Sequence, residues 1–464
     1  MTIVATGVPD KDLLLIYPRT RYPSGDVPLG LLYLAASVRA RLSLAPVVFD
    51  FTFREDPFAE LREHLLTNRY RWVGISAMVT MAKDAREAAR LVREMLPEAK
   101  IILGGPHPTT LPARCLTDDY DFVAVGEGEE TLVELISRGS GDGVAGVWFR
   151  EGNVWHENQP RLPIADLDVL PFPAFDLVDM ARYRKFWFQL DTTGRPIEGT
   201  SIFATRGCPY QCSFCQPTLE RLFGKRLRKR SPENIVAELG WLKREFHIEG
   251  FMLQDDTLNI DREWTKQLAE KIVAANLDLV FGCNMRADLV DEETLCAMRE
   301  AGLRKIYIGV ESCSDRIRNE VYNKRLQRVQ IEKAVAAARK IRILVQGYFM
   351  IGAPGEKKAE VRDTLRYARD LDLDDLTINI ATPLPGSYLY RKFRGDIAIP
   401  EEGFDYYRRY AFAEGEFDER WLRRVQFWGY LAFYLRPRML LRIVLSLLSP
   451  RMFRRTLLKL RRVV

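Results

Sequence analysis

The chain has 464 residues, with 69 Lys or Arg against 63 Asp or Glu and a formal net charge of +6. At roughly 100–200 residues per domain, that is room for two or three domains with buried cores. A composition of 47% hydrophobic and 28% charged residues excludes disorder and low complexity. Seven cysteines are too few for a disulfide scaffold. Residues 1–10 lack the basic start and apolar run of a secretory signal, so the expected setting is reducing and cytoplasmic.

Residues 1–150 alternate short β-branched runs with helical periodicity. Strands are expected at 13–17, 47–51, 73–77, 100–103, 122–125 and 144–149, with helices at 29–41, 58–68 and 83–95. This rhythm predicts a parallel sheet covered on both faces, whose ligand lies beyond the carboxyl ends of the strands. The loops expected there are Pro28-Leu29-Gly30, Gly104-Gly105-Pro106-His107-Pro108 and Gly126-Glu127-Gly128-Glu129. Glycine permits close backbone approach to a ligand, and proline fixes the entry of the next helix. Ordinary strand-to-helix turns are the competing reading.

Residues 151–195 break the rhythm with Pro160, Pro163, Pro171 and Pro173 among aromatics and acids, an irregular connector that should pack. A second alternating series follows. Its strands are expected at 201–205, 250–253, 280–284, 305–310, 345–350 and 376–381, and its helices at 232–246, 262–275, 292–301, 331–341 and 357–370. Six strand–helix units make most of a β/α barrel, with active-site groups at the carboxyl ends of the strands.

At the end of the first strand of this series stands Arg206-Gly207-Cys208-Pro209-Tyr210-Gln211-Cys212-Ser213-Phe214-Cys215. Thiolates spaced C-x3-C-x2-C converge on one metal centre, and soft sulfur favours zinc or iron–sulfur. Structural zinc wants a fourth Cys or His, yet His247 lies a whole helix further on. Cubane clusters ordinarily use four thiolates, so three leave one iron open to a small molecule. Three buried core cysteines are the bland alternative.

In this motif, with Phe214 before the third cysteine, the chain resembles the radical S-adenosylmethionine (SAM) enzymes. The resemblance spans roughly residues 201–385. It implies that Cys208, Cys212 and Cys215 hold a [4Fe-4S] cluster whose fourth iron is chelated by SAM, with Phe214 beside the adenine. It further implies that Asp255 and Asp256 lie near the SAM amino group, that Arg286 pairs with the carboxylate, and that Glu311 belongs to the same site. Surface caps or salt bridges are the competing reading of these four.

The first 150 residues resemble the cobalamin-binding domain that precedes the barrel in one large subclass. The resemblance is carried by Pro28, Leu29 and Gly30, by Gly104, Gly105, Pro106 and His107, and by Gly126, Glu127 and Gly128. The D-x-H-x-x-G motif that puts a His under cobalt elsewhere is missing around both His64 and His107. The resemblance therefore implies a cobalamin without a His ligand on its lower face. A regulatory nucleotide domain is disfavoured, because Tyr17-Pro18-Arg19 follows the first strand in place of G-x-G-x-x-G.

The expected fold is thus α/β: a Rossmann-like cobalamin domain (1–150), a connector (151–195), a partial (β/α)6 barrel (196–390) and a helical C-terminal region (391–464). The implied function is reductive SAM cleavage to a 5′-deoxyadenosyl radical, then methyl transfer from methylcobalamin to an unactivated carbon of a hydrophobic, lipid- or tetrapyrrole-like substrate. An external donor of flavodoxin or ferredoxin type would supply the electron. The same cofactors also suit an oxidative cyclisation, as in the anaerobic tetrapyrrole cyclases, or a ring rearrangement such as contraction, without methyl transfer. A non-catalytic iron–sulfur carrier or sensor is the reading from another class, and the missing fourth cysteine argues against it.

Residues 436–464 hold nine basic residues (Arg436, Arg438, Arg442, Arg451, Arg454, Arg455, Lys459, Arg461 and Arg462) and no acidic ones, leaving 60 basic against 63 acidic elsewhere. The apolar run before Pro450 is too interrupted to span a membrane. Residues 451–464 project as a basic amphipathic helix, Arg455 on the basic face, suited either to an anionic membrane surface or to packing on the barrel. Nucleic acid is not an expected partner: beyond Tyr434 only Phe453 offers an aromatic ring for stacking. Cys283 and Cys313 fall near strand ends, where an inert thiol competes with a role in the cavity, while Cys115 and Cys296 read as structural.

Overall fold

The structure is a computed structural model, and it describes residues 10–21, 23–398, 409–412, 415–447, 452, 453 and 455. The 451–464 helix expected from sequence therefore lies mostly outside the described residues. The chain divides into two compact units, Met1–Met180 with Thr218–Gly224, and Ala181–Pro217 with Lys225–Val464.

In the first unit the elements run β1 (Asp10–Tyr17), α1 (Leu29–Leu42), β2 (Val47–Asp50), α2 (Pro57–Thr67), β3 (Arg69–Ser76), α3 (Ala82–Met95), β4 (Lys100–Gly104), α4 (Pro106–Thr110), β5 (Phe122–Ala124), α5 (Glu129–Arg138), β6 (Val147–Glu151) and β7 (Val154–Glu157). The sheet order is β2-β1-β3-β4-β5-β6-β7, parallel through β5. Strand order reverses on either side of β1, the position where open α/β sheets bind ligands. Two apolar cores cover the two faces, one built on Leu14, Ile16 and Val73 with α2 and α3, the other on Leu13, Leu15 and Trp72 with α1 and α5.

The all-parallel expectation fails at the edge. β6 pairs antiparallel with β5, and β7 antiparallel with β6. Only Gly152 and Asn153 separate β6 from β7, and a two-residue turn can only make a hairpin, since a parallel return needs a crossover of about a dozen residues.

The second unit opens with α6 (Met180–Lys185), β8 (Gly199–Ile202) and β9 (Thr205–Arg206). After the cysteine loop, α7 (Thr218–Phe223) returns to the first unit, where Arg221 Nη1 donates to the Thr110 carbonyl at 2.6 Å. There follow β10 (Arg228–Lys229), α8 (Pro232–Phe246), β11 (Gly250–Leu253), α9 (Arg262–Ala275), β12 (Val280–Met285), α10 (Glu292–Glu300), β13 (Leu303–Glu311), α11 (Arg328–Lys340), β14 (Leu344–Ile351), α12 (Lys358–Asp370), β15 (Asp375–Ile380), α13 (Tyr388–Lys392), α14 (Glu419–Tyr434) and α15 (Pro437–Leu447). Six strands form one parallel sheet in the order β8-β11-β12-β13-β14-β15, a half-barrel that meets the expectation of a partial (β/α)6 barrel.

The strand expected at 201–205 is two strands. β8 stops at Ile202, because Thr205 and Arg206 turn away to pair antiparallel with Lys229 and Arg228. The helices begin where their caps dictate. Ser231 accepts from Asn234 N at 3.1 Å with Pro232 at the first helical position, and Asp261, Asp291 and Asp418 cap α9, α10 and α14 likewise.

The basic C-terminal residues that are described turn inward. Asp374, fully buried, accepts from Arg339 at 3.0 Å, Arg438 at 3.1 Å, Arg442 at 2.7 Å and the Val345 backbone at 2.9 Å. Arg436 donates to the carbonyls of Arg369, Leu371 and Leu373, where the negative end of the α12 dipole lies. Arg455 is not on a solvated basic face. It is buried against Asp191 and the carbonyls of Trp187 and Ile197, its guanidinium 5.0 Å from the Phe188 ring centroid. The amphipathic projection misplaced it because a buried acid 264 residues away leaves no trace in local periodicity.

Removing one partner of a buried, hydrogen-bonded ion pair costs several kcal/mol. Asp374→Ala should therefore lower the unfolding free energy by about 3 kcal/mol, read from denaturant melts of the second unit's tryptophan fluorescence.

Candidate functional site

The cysteine loop is tied down on both sides. Within it, Cys215 N and Gln216 N donate to the Cys212 carbonyl at 3.1 and 2.9 Å, and the Gln216 amide reaches the carbonyls of Cys208 and Tyr210 at 3.2 Å each. Ser213 N donates to the Tyr322 carbonyl at 2.8 Å, Ser213 Oγ to the Val321 carbonyl at 2.7 Å, and Asn323 Nδ2 to the Gln211 carbonyl at 2.7 Å. Residues 321–323 leave a widened π-type turn, Arg316–Val321, of the kind that collects at functional sites. Buried Arg318 braces that turn by donating to the carbonyls of Ser312 and Leu326, both at 2.6 Å.

Burial raises all three thiols above the ordinary range. The charges of Lys324 and Arg286 oppose that rise at Cys212, whereas Cys212 and Asp256 add to it at Cys215. Among the described residues no three His, Cys, Asp or Glu side chains gather tightly enough for a single ion. Cys283 is fully buried within β12, Cys313 is half-buried beside Arg328, and Cys115 is buried with its thiol pushed up to about 12. Cys296, read as structural, is exposed on the outer side of α10.

The charged candidates fall at the carboxyl ends of β11, β12 and β13, as expected. Asp255 Oδ1 accepts from Ala204 N, Thr205 N and Thr205 Oγ1, but its buried Oδ2 has no partner. Burial pushes its carboxyl up to about 6. Asp256 keeps solvent-accessible surface yet sits in a recess crowded by protein atoms, and desolvation pushes it up to about 6 as well. Arg286 grips Asp288 through two bonds of 2.9 and 3.1 Å, donates to the Lys324 carbonyl at 2.9 Å, and lies 3.7 Å over the Tyr210 ring centroid. Glu311, at φ 65° beside a register shift in β13, pairs with Lys324 at 2.5 Å in a buried position. A Cβ at Gly309 would stand 2.4 Å from both Glu311 Oε1 and Lys324 Nζ, so a side chain there would shift the tips of the pair. Phe214 meets Tyr322 edge-on at 5.5 Å, with Lys324 Nζ 5.9 Å from its centroid.

Sequence reasoning missed Tyr210, Asn259, Asp288 and Lys324. Asn259 holds Arg286 through both backbone groups, donating to its carbonyl at 3.2 Å and accepting from its N–H at 3.0 Å. The Asp288 side chain was signalled by its place two residues after Arg286, but Lys324 becomes a neighbour of Glu311 only through the π-type turn.

In the first unit, the three expected loops lie at the carboxyl edge of the sheet. Pro28 precedes α1, Gly104 ends β4, and Gly126 to Gly128 join β5 to α5. Gly105 has φ 96°, a conformation other residues rarely adopt, and a Cβ there would approach Ala77 O and Ser76 Oγ at 3.0 Å. His107 N donates to the Ala77 carbonyl at 2.9 Å from within α4, opened by Pro106. A Cβ at Gly30 or Gly126 would meet nothing within 4 Å, so this edge has room. Glu127 turns inward, its Oε2 accepting from Ile164 N at 2.7 Å. Thr109, missed by sequence reasoning, accepts from Gly126 N at 3.0 Å and joins two of the loops. His64 hydrogen-bonds the Tyr70 hydroxyl at 2.7 Å within the α2 packing.

Residues 202–368 match the model of the radical SAM superfamily, and residues 25–136 that of the B12 binding domain. A protein of Pyrococcus horikoshii named uncharacterized methyltransferase PH0819 is 30% identical over 447 residues, covering 93% of this chain and 94% of its own. The chain belongs to the cobalamin-binding radical SAM methyltransferases. Cytidylyl-2-hydroxyethylphosphonate methyltransferase of Streptomyces wedmorensis is 28% identical over 71% of this enzyme and 68% of its own length. Among solved structures, the radical SAM methyltransferase TsrM of Kitasatospora setae, with cobalamin and a [4Fe-4S] cluster bound, shares the fold at TM-score 0.68 and 20% identity, over 83% of this chain and 78% of that one.

The cofactors of this radical SAM enzyme are a [4Fe-4S] cluster, SAM and cobalamin, and its residues fit them. Of three buried or half-buried thiols, Cys212 stands beside Lys324 and Arg286 and Cys215 beside Lys324, which suits thiolates held at a metal centre. The orphaned Asp255 oxygen, with Asp256 next to it, offers an anionic place for an ammonium. The open room at Gly30 and Gly126 suits a bulky group lying on the first sheet's edge.

Two outcomes follow. Replacing Cys208, Cys212 and Cys215 together by alanine should abolish iron and acid-labile sulfide binding while the cobalamin absorbance persists. Asp255, ordinarily near 3.8 and raised to about 6 here, binds its proton more tightly folded than unfolded. Its stabilising contribution is complete below pH about 4 and is lost as pH rises through about 6, up to about 3 kcal/mol. Cofactor-free Asp255→Asn, which keeps the three Oδ1 bonds, should therefore melt higher than the parent at about pH 8 and show a flatter melting profile below it.

Proposed function

We propose that the enzyme transfers a methyl group to an unactivated carbon of a hydrophobic, lipid- or tetrapyrrole-like small molecule. The observation that carries the reading is the joint presence of a three-thiol loop flanked by buried acids and cations and a cobalamin-type sheet edge in one chain. When bound, the three cofactors supply hydrogen abstraction from carbon and the methyl group that replaces the hydrogen.

The residues of the chain bind, orient and exclude water. We assign Cys208, Cys212 and Cys215 to the cluster, and Asp255 and Asp256 to the SAM amino group. Arg286, immobilised by Asp288, the Lys324 carbonyl and the Tyr210 ring, is assigned to the SAM carboxylate. Phe214 is assigned to the adenine, backed by Tyr322, and Glu311 with Lys324 holds that ring's surroundings rigid. Pro28, Leu29, Gly30, Gly104, Gly105, Pro106, His107, Gly126, Glu127 and Gly128 are assigned to the cobalamin edge. Of these, Glu127 would act through the backbone, since Ile164 occupies its carboxylate. The partly open Phe214, Met350 and Phe393, packed on the Ile317–Tyr322–Leu389 cluster, support a hydrophobic substrate.

The reading includes a cytoplasmic setting, an electron donor of flavodoxin or ferredoxin type, and the division into a cobalamin domain (1–150), a connector (151–195), a barrel (196–390) and a C-terminal region (391–464). Seven free cysteines among the described residues are in keeping with a reducing compartment. Among the described residues no helix is long and apolar enough to cross a membrane.

The test is anaerobic reconstitution with methyl-labelled SAM, cobalamin and a reductant against isoprenoid lipids and tetrapyrroles. The expected product carries one labelled methyl, with two SAM consumed and both SAM-derived products formed for each turnover. A product lighter by hydrogen and free of label would replace methyl transfer by oxidative ring closure.

A further inference from the structure

The C-terminal helix α15 is inside out. Projected at about 100° per residue, Met439 and Ile443 mark its inner side, with Arg442 beside them. Arg442 reaches buried Asp374 at 2.7 Å, and Arg438 reaches Asp372 at 2.7 Å and Asp374 at 3.1 Å. The opposite side carries Leu440, Leu441, Val444 and Leu445, of which Leu441 is 60%, Val444 54% and Leu445 56% exposed. On α14, Phe427 and Trp428 are 62% and 58% exposed. Scattered exposed hydrophobics need no explanation, but half of the large exposed apolar side chains among the described residues fall within residues 427–453. The arginine clamp fixes which side of the helix faces out, so the apolar side cannot turn inward without taking two of its three arginine partners from buried Asp374.

We infer that the outer face of α15, with Phe427 and Trp428 of α14, docks on an anionic phospholipid surface. Charge selects this occupant. Residues 436–464 contain nine basic residues and no acidic one, five of them at 451, 454, 459, 461 and 462, immediately past the apolar face. A hydrophobic face followed in the sequence by those five basic residues and no acidic one, with Trp among its aromatics, is complementary to anionic headgroups over acyl chains. A second copy of this chain would bring a second set of the same positive charges against the first, and these repel. The contact surface is thus the helix's apolar outer side, while two of its arginines serve the fold. The inference stands apart from the methyl-transfer reading, because vesicle binding is read without substrate or turnover.

The experiment is flotation of the full cofactor-loaded chain with vesicles of phosphatidylglycerol and phosphatidylcholine in equal parts, and with phosphatidylcholine alone. The parent should float with the anionic vesicles and not with the neutral ones. The triple variant Leu441→Gln, Val444→Gln, Leu445→Gln should bind them about 10-fold or more weakly. Its melting temperature and iron content should match the parent, since these side chains are exposed and the arginine clamp is intact. Three results would each overturn the inference: a parent that stays with the buffer, a triple variant that floats as well as the parent, or a parent dimer in sedimentation velocity that the triple variant abolishes.

Discussion

The short bonds from Ser213 to the carbonyls of Val321 and Tyr322 are the constraint on which the candidate site of the second unit depends. Ser213 lies between the second and third cysteines, so the shape of the cysteine loop is set by the segment that follows β13. The same four-residue stretch, 321–324, brings Tyr322 against Phe214, Asn323 against Gln211 and Lys324 against Glu311. One backbone junction thus sets the positions of thiols, aromatic ring and ion pair together. Buried Arg318 with its carbonyl partners keeps that junction from relaxing into an ordinary helical turn.

The electrostatics of the site are those of a place waiting for charge. Two carboxyls at the end of β11 are held near 6 by burial, and one of their oxygens has no donor. Burial raises all three thiols, and Cys212 adds to the rise at Cys208 and Cys215. Glu356 behaves similarly at the end of β14: its Oε2 accepts from Gly352 N and Ala353 N, its Oε1 has no partner, and burial pushes it up to about 7. An unpartnered polar group inside a protein is costly unless a ligand, water or proton meets it.

Much of this was legible in the sequence, for physical reasons. The half-barrel's strands are short apolar runs, and α8 and α9 start and stop at the expected residues because Ser231, Pro232 and Asp261 act locally. The cysteine spacing is a local signal too, and so is the run of glycines at the first sheet's edge. What escaped is what only three dimensions supply. Lys324 finds Glu311 across an irregular turn, Asn259 holds Arg286 from 27 residues away, and Arg455 finds Asp191 from the far end of the chain. The hairpin at the first sheet's edge escaped for a different reason: a run such as 144–149 shows that a strand forms but not in which direction it pairs.

The arginine clamp also bears on where this half of the protein ends. The radical SAM match stops at residue 368, ahead of Asp374 and ahead of every guanidinium that meets it except Arg339. A fragment cut to the matched boundary plus the last strand would carry a buried carboxylate with one counter-charge in place of three, and α12 would lose the guanidinium that caps its final carbonyls. The C-terminal segment is therefore a structural counter-ion for the second unit, supplying two of the three charges that meet its buried carboxylate.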